Sequence, residues 1–271
     1  MATATLHAVV IVAAIAVAAD DAVTQSAPSR TQVVHLGTGN PSPTPDRSGP
    51  STAIIVNGQR YLVDFGPGVV RRAAAAQRKG IAALNPTNIR YAFVTHLHSD
   101  HTIGYPDLIF TPWVVGRKEP LEVYGPTGIK AMTDHVLAAW ADDIEIRHGA
   151  VERSLMSADA YRVNAHEVSP GIIYKDGNVS VTAFNVKHGE WGPRAFGYRF
   201  QTPDRTIVIS GDSNASESVV EQCHGCDILI HKVYTEAGYA KASPEWQRMR
   251  REYHTSSRQL LNSQRGRVLA S

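Results

Sequence analysis

The stretch that decides the fold follows an apolar segment that begins at Tyr91, and it reads Thr95-His96-Leu97-His98-Ser99-Asp100-His101. Imidazole and carboxylate groups are metal ligands, and several of them must converge on one ion at about 2.0–2.2 Å. On a turn, His96 and His98 face one way, while Asp100 and His101 reach a neighbouring point. The pattern therefore predicts a metal centre, although a surface cluster of histidines is the alternative interpretation.

Short apolar, β-branched segments that end in a polar residue recur along the chain and predict buried strands. They cover residues 61–63, 91–95, 179–184, 206–210 and 227–230, and the polar residues that follow them are Asp64, His96, His188, Asp212 and His231. Apolar residues at helical spacing over 129–140 predict a helix between strands. This alternation predicts an α/β layered fold with functional groups along one rim of the sheets.

The composition predicts one folded domain, because 43% of the 271 residues are hydrophobic and only 19% are charged. A formal net charge of +2 provides no general attraction to nucleic acid or anionic lipid. A local basic excess lies near the C-terminal end, and it is either a solvated helical face or an anion-attracting patch. Its members are Lys241, Arg248, Arg250, Arg251, Arg258, Arg265 and Arg267.

The N-terminal segment has the pattern of a signal peptide over residues 1–19, followed by a linker over 20–30. An apolar run over residues 8–19 is too short to span a bilayer comfortably, and Ala16 and Ala18 suit a cleavage site. An exported protein, periplasmic or extracellular and without a membrane span after processing, is therefore expected. An Ala-rich N-terminus that is packed or disordered is the alternative. Cys223 and Cys226 form either a tight disulfide or structural filler.

The combination of motifs resembles the metallo-β-lactamase-fold hydrolases, in the branch that holds ribonuclease Z and its arylsulfatase-like and phosphodiesterase relatives. The resemblance covers residues 31–260. Besides the histidine motif, it rests on Leu36-Gly37-Thr38-Gly39-Asn40-Pro41, Val63-Asp64-Phe65-Gly66, Val186-Lys187-His188-Gly189, Ser210-Gly211-Asp212-Ser213 and Tyr253-His254-Thr255-Ser256.

This resemblance implies a four-layer αββα sandwich with two zinc ions between the sheets. It implies that His96, His98 and His188 hold the first ion, that Asp100 and His101 hold the second, and that Asp212 bridges them. It further implies that Asp100 and His254 are catalytic in a hydrolysis by metal-activated water. In that reaction His254 acts as a general acid or as a phosphate-stabilising group. Asp64 is expected to orient a ligand histidine.

Two departures from the family pattern affect these expectations. Relatives carry a further histidine well after the position of His254, whereas 17 residues follow His254 here and none is a histidine. The last strand and the final ligand segment are thus expected to be missing, with an atypical tail over 261–271 and a weak second metal site. In addition, Lys232 stands where many relatives have Glu.

Three functions remain open on these grounds. The preferred hypothesis is an exported dinuclear zinc hydrolase that cleaves a small-molecule phosphodiester, sulfate ester or carboxylic ester. A homodimer is one open possibility for its assembly. The first alternative is a ribonuclease Z-type tRNA 3′-end endoribonuclease. It is disfavoured because the 23 residues between His188 and Asp212 leave no room for a long tRNA-gripping arm, and because the expected export signal conflicts with the cytosolic residence that it needs. The second is a truncated, non-catalytic binding protein. Iron and manganese also suit these ligands.

Overall fold

The structure is a computed structural model that describes residues 30–149 and 152–264. Within these residues, the first sheet has six strands, of which the first three form an antiparallel meander and the third to the sixth pair in parallel. In spatial as well as chain order its strands are β1 (Thr31–Gly37), β2 (Ser51–Val56), β3 (Gln59–Val63), β4 (Tyr91–Phe93), β5 (Leu121–Gly125) and β6 (Val163–Glu167).

The second sheet has five strands among the described residues and is antiparallel except at one edge, where the last two strands in chain order run parallel. From the other edge its strands are β7 (Gly171–Lys175), β8 (Ser180–Asn185), β9 (Phe196–Gln201), β10 (Thr206–Ile209) and β11 (Ile228–Ile230). A small parallel pair follows, formed by β12 (Val233–Tyr234) and β13 (Thr255–Ser256).

Helices connect the strands and cover the outer faces of the sheets. Their bounds are α1 (Val69–Arg78), α2 (Ser99–Thr102), α3 (Tyr105–Val114), α4 (Ile129–Ala139), α5 (Ala141–His148), α6 (Glu217–Gln222), α7 (Glu236–Ala240), α8 (Pro244–Tyr253) and α9 (Ser257–Gln264). Single turns of 3₁₀-helix span Ala82–Leu84, Pro86–Asn88, Glu152–Ser154 and Gly192–Arg194.

The core consists of apolar layers that alternate with the sheets. The first sheet and the second sheet pack face to face through aromatic side chains such as Tyr61, Phe93 and Phe200, all of which are fully buried. On the outer face of the first sheet, α1, α3 and α4 bury a second apolar cluster, in which Trp113 is fully buried. On the outer face of the second sheet, Val219 of α6 packs against Val208 of β10.

This arrangement confirms the expected α/β fold with an αββα order of layers. Every predicted strand is present, and the helix expected over 129–140 is α4. Residues 261–264 of the expected tail belong to α9, whereas residues 265–271 lie outside the described residues, as do the expected signal peptide and all of the linker except Arg30. Within the described residues, no helix combines the length and the apolar character that crossing a bilayer would require.

Candidate metal centre

The side chains that the sequence singled out meet at one rim of the two facing sheets. Asp64 follows β3, the histidine motif follows β4, His188 follows β8 and Asp212 follows β10. His254 directly follows α8. Because these segments leave their sheets at the same rim, ligands far apart in the chain become neighbours. The structure therefore brings together all six predicted metal ligands and the predicted acid.

Local geometry explains how the histidine motif presents its ligands. β4 ends at Phe93, and His98 precedes α2, a helix of a single turn. The backbone N–H of His101 donates to the carbonyl oxygen of His98 at 3.0 Å, and so does the hydroxyl of Thr102 at the same distance. This turn keeps Asp100 and His101 on the helix while His96 and His98 precede it, which is the division that the spacing predicted.

Three imidazoles form one ligand group, made up of His96, His98 and His188. Nδ1 of His98 lies 2.9 Å from Nε2 of His96 and 3.2 Å from Nε2 of His188. His96 and His188 are almost completely buried. Burial lowers the pKa of all three rings, so their nitrogens carry free lone pairs near neutral pH, as metal binding requires.

A second ligand group shares His96 and adds His101 and Asp212. Nε2 of His101 lies 3.5 Å from an oxygen of Asp212 and 3.7 Å from an oxygen of Asp100. Burial alone would lower the pKa of His101, but the Asp64 and Asp212 carboxylates raise it to about 10. This cluster of carboxylates thus stabilises positive charge at the place where His101 meets Asp212.

Two contacts outside these groups orient the ligands. Asp64 accepts hydrogen bonds from the backbone N–H and the hydroxyl of Thr95, and its other oxygen lies 2.9 Å from Nδ1 of His101. Nδ1 of His188 donates to the backbone carbonyl of Tyr253 at 2.9 Å, which leaves Nε2 for a ligand. The expected orienting role of Asp64 thus agrees with its position, whereas the Tyr253 carbonyl could not be inferred from the sequence.

The donor set fits one or two divalent cations. Oδ2 of Asp100 and Nε2 of His101 are buried and have no hydrogen-bond partner among the described residues. Buried polar atoms normally have partners, so atoms without one call for an explanation, and a bound cation supplies it. Imidazole with carboxylate suits zinc, and also iron or manganese.

Two cationic or titratable side chains stand at the margin of this centre. Nδ1 of His254 lies 3.8 Å from Oδ2 of Asp212 and has no hydrogen-bond partner among the described residues. Burial lowers the pKa of His254 to about 4, and Lys232 adds to the effect while Asp212 opposes it. The Lys232 ammonium itself lies 2.5 Å from Oδ2 of Asp212.

A chain of hydrogen bonds that the sequence did not reveal links the segments carrying Asp212 and His254. The hydroxyl of Thr255 donates to the carbonyl oxygen of Ser213 at 2.8 Å, so it accepts from Nε2 of His231, also at 2.8 Å. Ser213 adjoins Asp212, and Thr255 adjoins His254. The sequence indicated Thr255 only through its place in the motif Tyr253-His254-Thr255-Ser256. Its hydrogen-bond partners could not be read from the sequence, because folding brings them together from distant segments.

Other candidate residues lie apart from the centre. Cys223 and Cys226 form a disulfide after α6, which is one of the two alternatives that the sequence left open. His166 forms a hydrogen bond between its Nε2 and a carboxylate oxygen of Glu122 at 2.8 Å, and its ring stacks on Tyr124. These residues therefore have structural contacts of their own.

Comparisons with known proteins agree with this fold. Residues 59–262 match the Beta-lactamase superfamily domain. Ribonuclease Z of Mycobacterium marinum (strain ATCC BAA-535 / M) is 33% identical over 74% of this chain and 70% of that protein. Ribonuclease Z of Mycobacterium sp. (strain KMS) is 34% identical over 83% of this chain and 76% of that protein.

Among solved structures, the human short form of tRNase Z resembles this fold with a TM-score of 0.64 and 24% sequence identity, covering 86% of this chain and 87% of that one. This chain belongs to the Beta-lactamase superfamily, in the branch that holds ribonuclease Z, and is a hydrolase of the metallo-β-lactamase fold.

Proposed function

We propose that this chain is a metal-dependent endoribonuclease of the ribonuclease Z type, which cleaves a phosphodiester bond at the 3′ end of a tRNA precursor. The observation that carries the proposal is the pair of ligand groups that share His96, with His254 at their margin, whose Nδ1 has no hydrogen-bond partner among the described residues. The relatives named ribonuclease Z favour this function over the small-molecule ester hydrolase that the sequence had favoured. Nucleic acid thereby becomes the preferred substrate.

We assign the metal ligands as the family resemblance implied them. His96, His98 and His188 would hold one zinc ion, Asp100 and His101 would hold a second, and Asp212 would be a ligand shared by both. Bound zinc supplies Lewis-acid stabilisation of phosphate charge and a nucleophilic water at neutral pH. The protein supplies the orientation, because Asp64 and the Tyr253 carbonyl fix two of the imidazole rings.

His254 would act on the phosphate or on the leaving oxygen. Since burial lowers its pKa to about 4, the ring is neutral at pH 7 and first acts as a hydrogen-bond donor through an N–H. A phosphate dianion or monoanion beside the ring would raise this pKa, because opposite charge stabilises imidazolium. Proton donation to the leaving oxygen then becomes available only when substrate is bound.

A basic helix next to the centre supports a polyanionic substrate. α8 carries Arg248, Arg250 and Arg251 and ends at Tyr253, directly before His254. Arg248 and Arg251 are exposed, whereas Arg250 donates to the carbonyl of Gly238 at 2.7 Å. Arg248 and Arg251 lie within six residues of His254 in the chain. Their exposed guanidinium groups would bind the phosphates of the RNA backbone on either side of the cleaved bond.

One observation favours a second candidate, a phosphodiesterase for smaller substrates. The segment between His188 and Asp212 is occupied by the turn Gly192–Arg194 and by β9 and β10, both of which pair within the second sheet. No long arm extends from this segment. Such an arm is what the family resemblance led us to associate with tRNA binding.

Hydrolysis assays with two kinds of substrate separate these candidates. The purified chain with added Zn²⁺ would be given a tRNA precursor carrying a 3′ trailer, and in parallel bis-p-nitrophenyl phosphate, p-nitrophenyl sulfate and a p-nitrophenyl ester. Cleavage of the precursor at the trailer junction, lost in His254→Ala and retained in the distant His166→Ala, supports the proposal. Turnover of bis-p-nitrophenyl phosphate without cleavage of the precursor would instead support the second candidate.

Export and dimer formation remain predictions of the sequence. Export belongs with the second candidate, because a tRNA 3′-end endonuclease needs residence in the cytosol. For that candidate we propose that the mature chain begins near Asp20 in a periplasmic or extracellular fraction. The N-terminal mass of the chain recovered from each cell fraction tests this expectation, and an unprocessed chain found only in the cytosol would contradict it. Light scattering of the purified chain distinguishes a homodimer from a monomer.

A further inference from the structure

Lys232 reaches the metal centre because of the pairing at one edge of the second sheet. β10 and β11 are parallel, with Ile209 opposite Ile230, and the N–H of Ser210 donates to the carbonyl of Ile230 at 3.0 Å. The segments that follow these two strands therefore leave the sheet side by side. Asp212 lies on one of them and Lys232 lies on the other.

The ammonium of Lys232 is bound to one specific oxygen of Asp212. Its Nζ lies 2.5 Å from Oδ2, while the opposite oxygen, Oδ1, is the one that lies 3.5 Å from Nε2 of His101. The Asp212 side chain is 5% exposed, so this pair is largely shielded from water. The Lys232 side chain is 28% exposed and lines a cavity of about 480 Å³ that also borders Asp64 and His101.

The two ligand groups differ in how they depend on this pair. His96, His98 and His188 offer three imidazole nitrogens to an ion without help from Asp212. The second group needs Asp212, and an ion there would compete with an ammonium for the same carboxylate. Like charges a few ångströms apart in a shielded site repel each other far more than they do in water.

We propose that Lys232 makes the two metal positions unequal: its ammonium holds Asp212 and repels a second cation, so that this chain binds one Zn²⁺ tightly and a second Zn²⁺ about 100-fold more weakly. This inference rests on the metal centre assumed in the proposed function. Lys232 is thus a positioning residue that sets metal stoichiometry through Asp212.

Zinc titration of the metal-free protein tests this inference without any measurement of activity. Isothermal titration calorimetry with Zn²⁺ alone, together with elemental analysis after dialysis, would be applied to the natural chain and to Lys232→Met, which keeps the length of the side chain and removes its charge. Lys232→Arg keeps the charge. Lys175→Met is the matched control, because Lys175 is exposed on β7 in the second sheet, on the strand at the opposite edge from β11.

We expect one tightly held zinc ion in the natural chain, in Lys232→Arg and in Lys175→Met. We expect two in Lys232→Met, because its dissociation constant for the second zinc ion should be at least tenfold lower than that of the natural chain. Two ions of equal affinity in the natural chain would overturn the inference and leave the proposed function standing, even if Lys232→Met did not fold. An unchanged dissociation constant for the second zinc ion in a folded Lys232→Met would also overturn the inference and leave the proposed function standing. No zinc bound by the natural chain would overturn both.

Discussion

The carboxylate of Asp64 lies 2.9 Å from Nδ1 of His101, and this contact turns the opposite nitrogen of the ring toward Asp212, 3.5 Å away. Asp64 is itself held by the N–H and hydroxyl of Thr95, the residue that opens the histidine motif. A carboxylate that follows β3 therefore sets the orientation of a ligand that follows β4. Such contacts behind a ligand fix its tautomer as well as its position.

Asp64→Asn should impair the centre while sparing the fold. Asp64 has a φ of 60°, a left-handed conformation that Asn also tolerates. An amide can still accept from Thr95, but its NH₂ would face Nδ1 of His101 and so place the ring proton on Nε2, where it blocks metal binding. We expect about a 10–100-fold loss of zinc-dependent phosphodiesterase activity at a fixed zinc concentration. Asp107→Asn, which alters a surface ion pair with Arg71, is the control.

His96→Ala should abolish tight zinc binding, because His96 belongs to both ligand groups. Elemental analysis after dialysis should find less than about a tenth of the zinc of the natural chain, since a truncated ligand leaves two imidazoles in the first group. His166→Ala removes an imidazole that pairs with Glu122 instead, and it should keep its zinc. Equal zinc in the two variants would contradict the ligand assignment.

Thr255→Val should lower turnover more than it lowers substrate affinity. Valine has the shape of threonine but lacks the hydroxyl that joins His231 to the Ser213 carbonyl, so the neighbouring Asp212 and His254 lose their support. We expect kcat to fall about tenfold and the free energy of unfolding to fall by about 1–3 kcal/mol. The control is Thr133→Val, another buried threonine that bonds to Ile129 and Tyr105. It should lose stability and keep its kcat.

Arg248→Ala should weaken binding of RNA without changing turnover of bis-p-nitrophenyl phosphate. Removing one phosphate contact lowers the dependence of log affinity on log salt by about 0.7–1. Filter binding of a tRNA precursor at several salt concentrations measures this slope. Arg78→Ala, an exposed change in the last turn of α1, should leave the slope unaltered. An unchanged slope in Arg248→Ala would argue against the basic face of α8 as an RNA-binding surface.

Asp176→Asn should destabilise the protein in a pH-dependent way. Burial opposes ionisation of Asp176, but hydrogen bonds from the hydroxyls of Tyr61 and Tyr174 and from two backbone N–H groups lower its pKa overall. A lowered folded-state pKa adds stability above the unfolded-state pKa, and this stability is lost as the pH falls through the folded-state pKa.

Denaturant unfolding between pH 3 and pH 7 measures this contribution. We expect a loss of about 1–2 kcal/mol at pH 7, since Asp176 is partly exposed, and a smaller difference from the natural chain at pH 3. Asp159→Asn, which alters an exposed ion pair with Arg162, should cost less than about 0.5 kcal/mol at either pH.

The sequence by itself determined the local part of the centre. His96, His98, Asp100 and His101 lie within six residues, so a strand followed by a turn is enough to group them, and β4 and α2 have that form. The strands that precede His188 and Asp212 were also predictable, because short β-branched runs identify buried strands. Placing both residues with the motif required the family resemblance, since sequence periodicity does not specify which strands become neighbours.

Only the tertiary structure decided the contacts made across chain segments. The Lys232–Asp212 pair depends on the parallel register of β10 and β11, and the Thr255 hydroxyl meets Ser213 through a separation of 42 residues. The Tyr253 carbonyl, which orients His188, is a backbone group and so leaves no mark in the sequence. Such contacts arise from sheet pairing and layer packing, which join residues that no local pattern links.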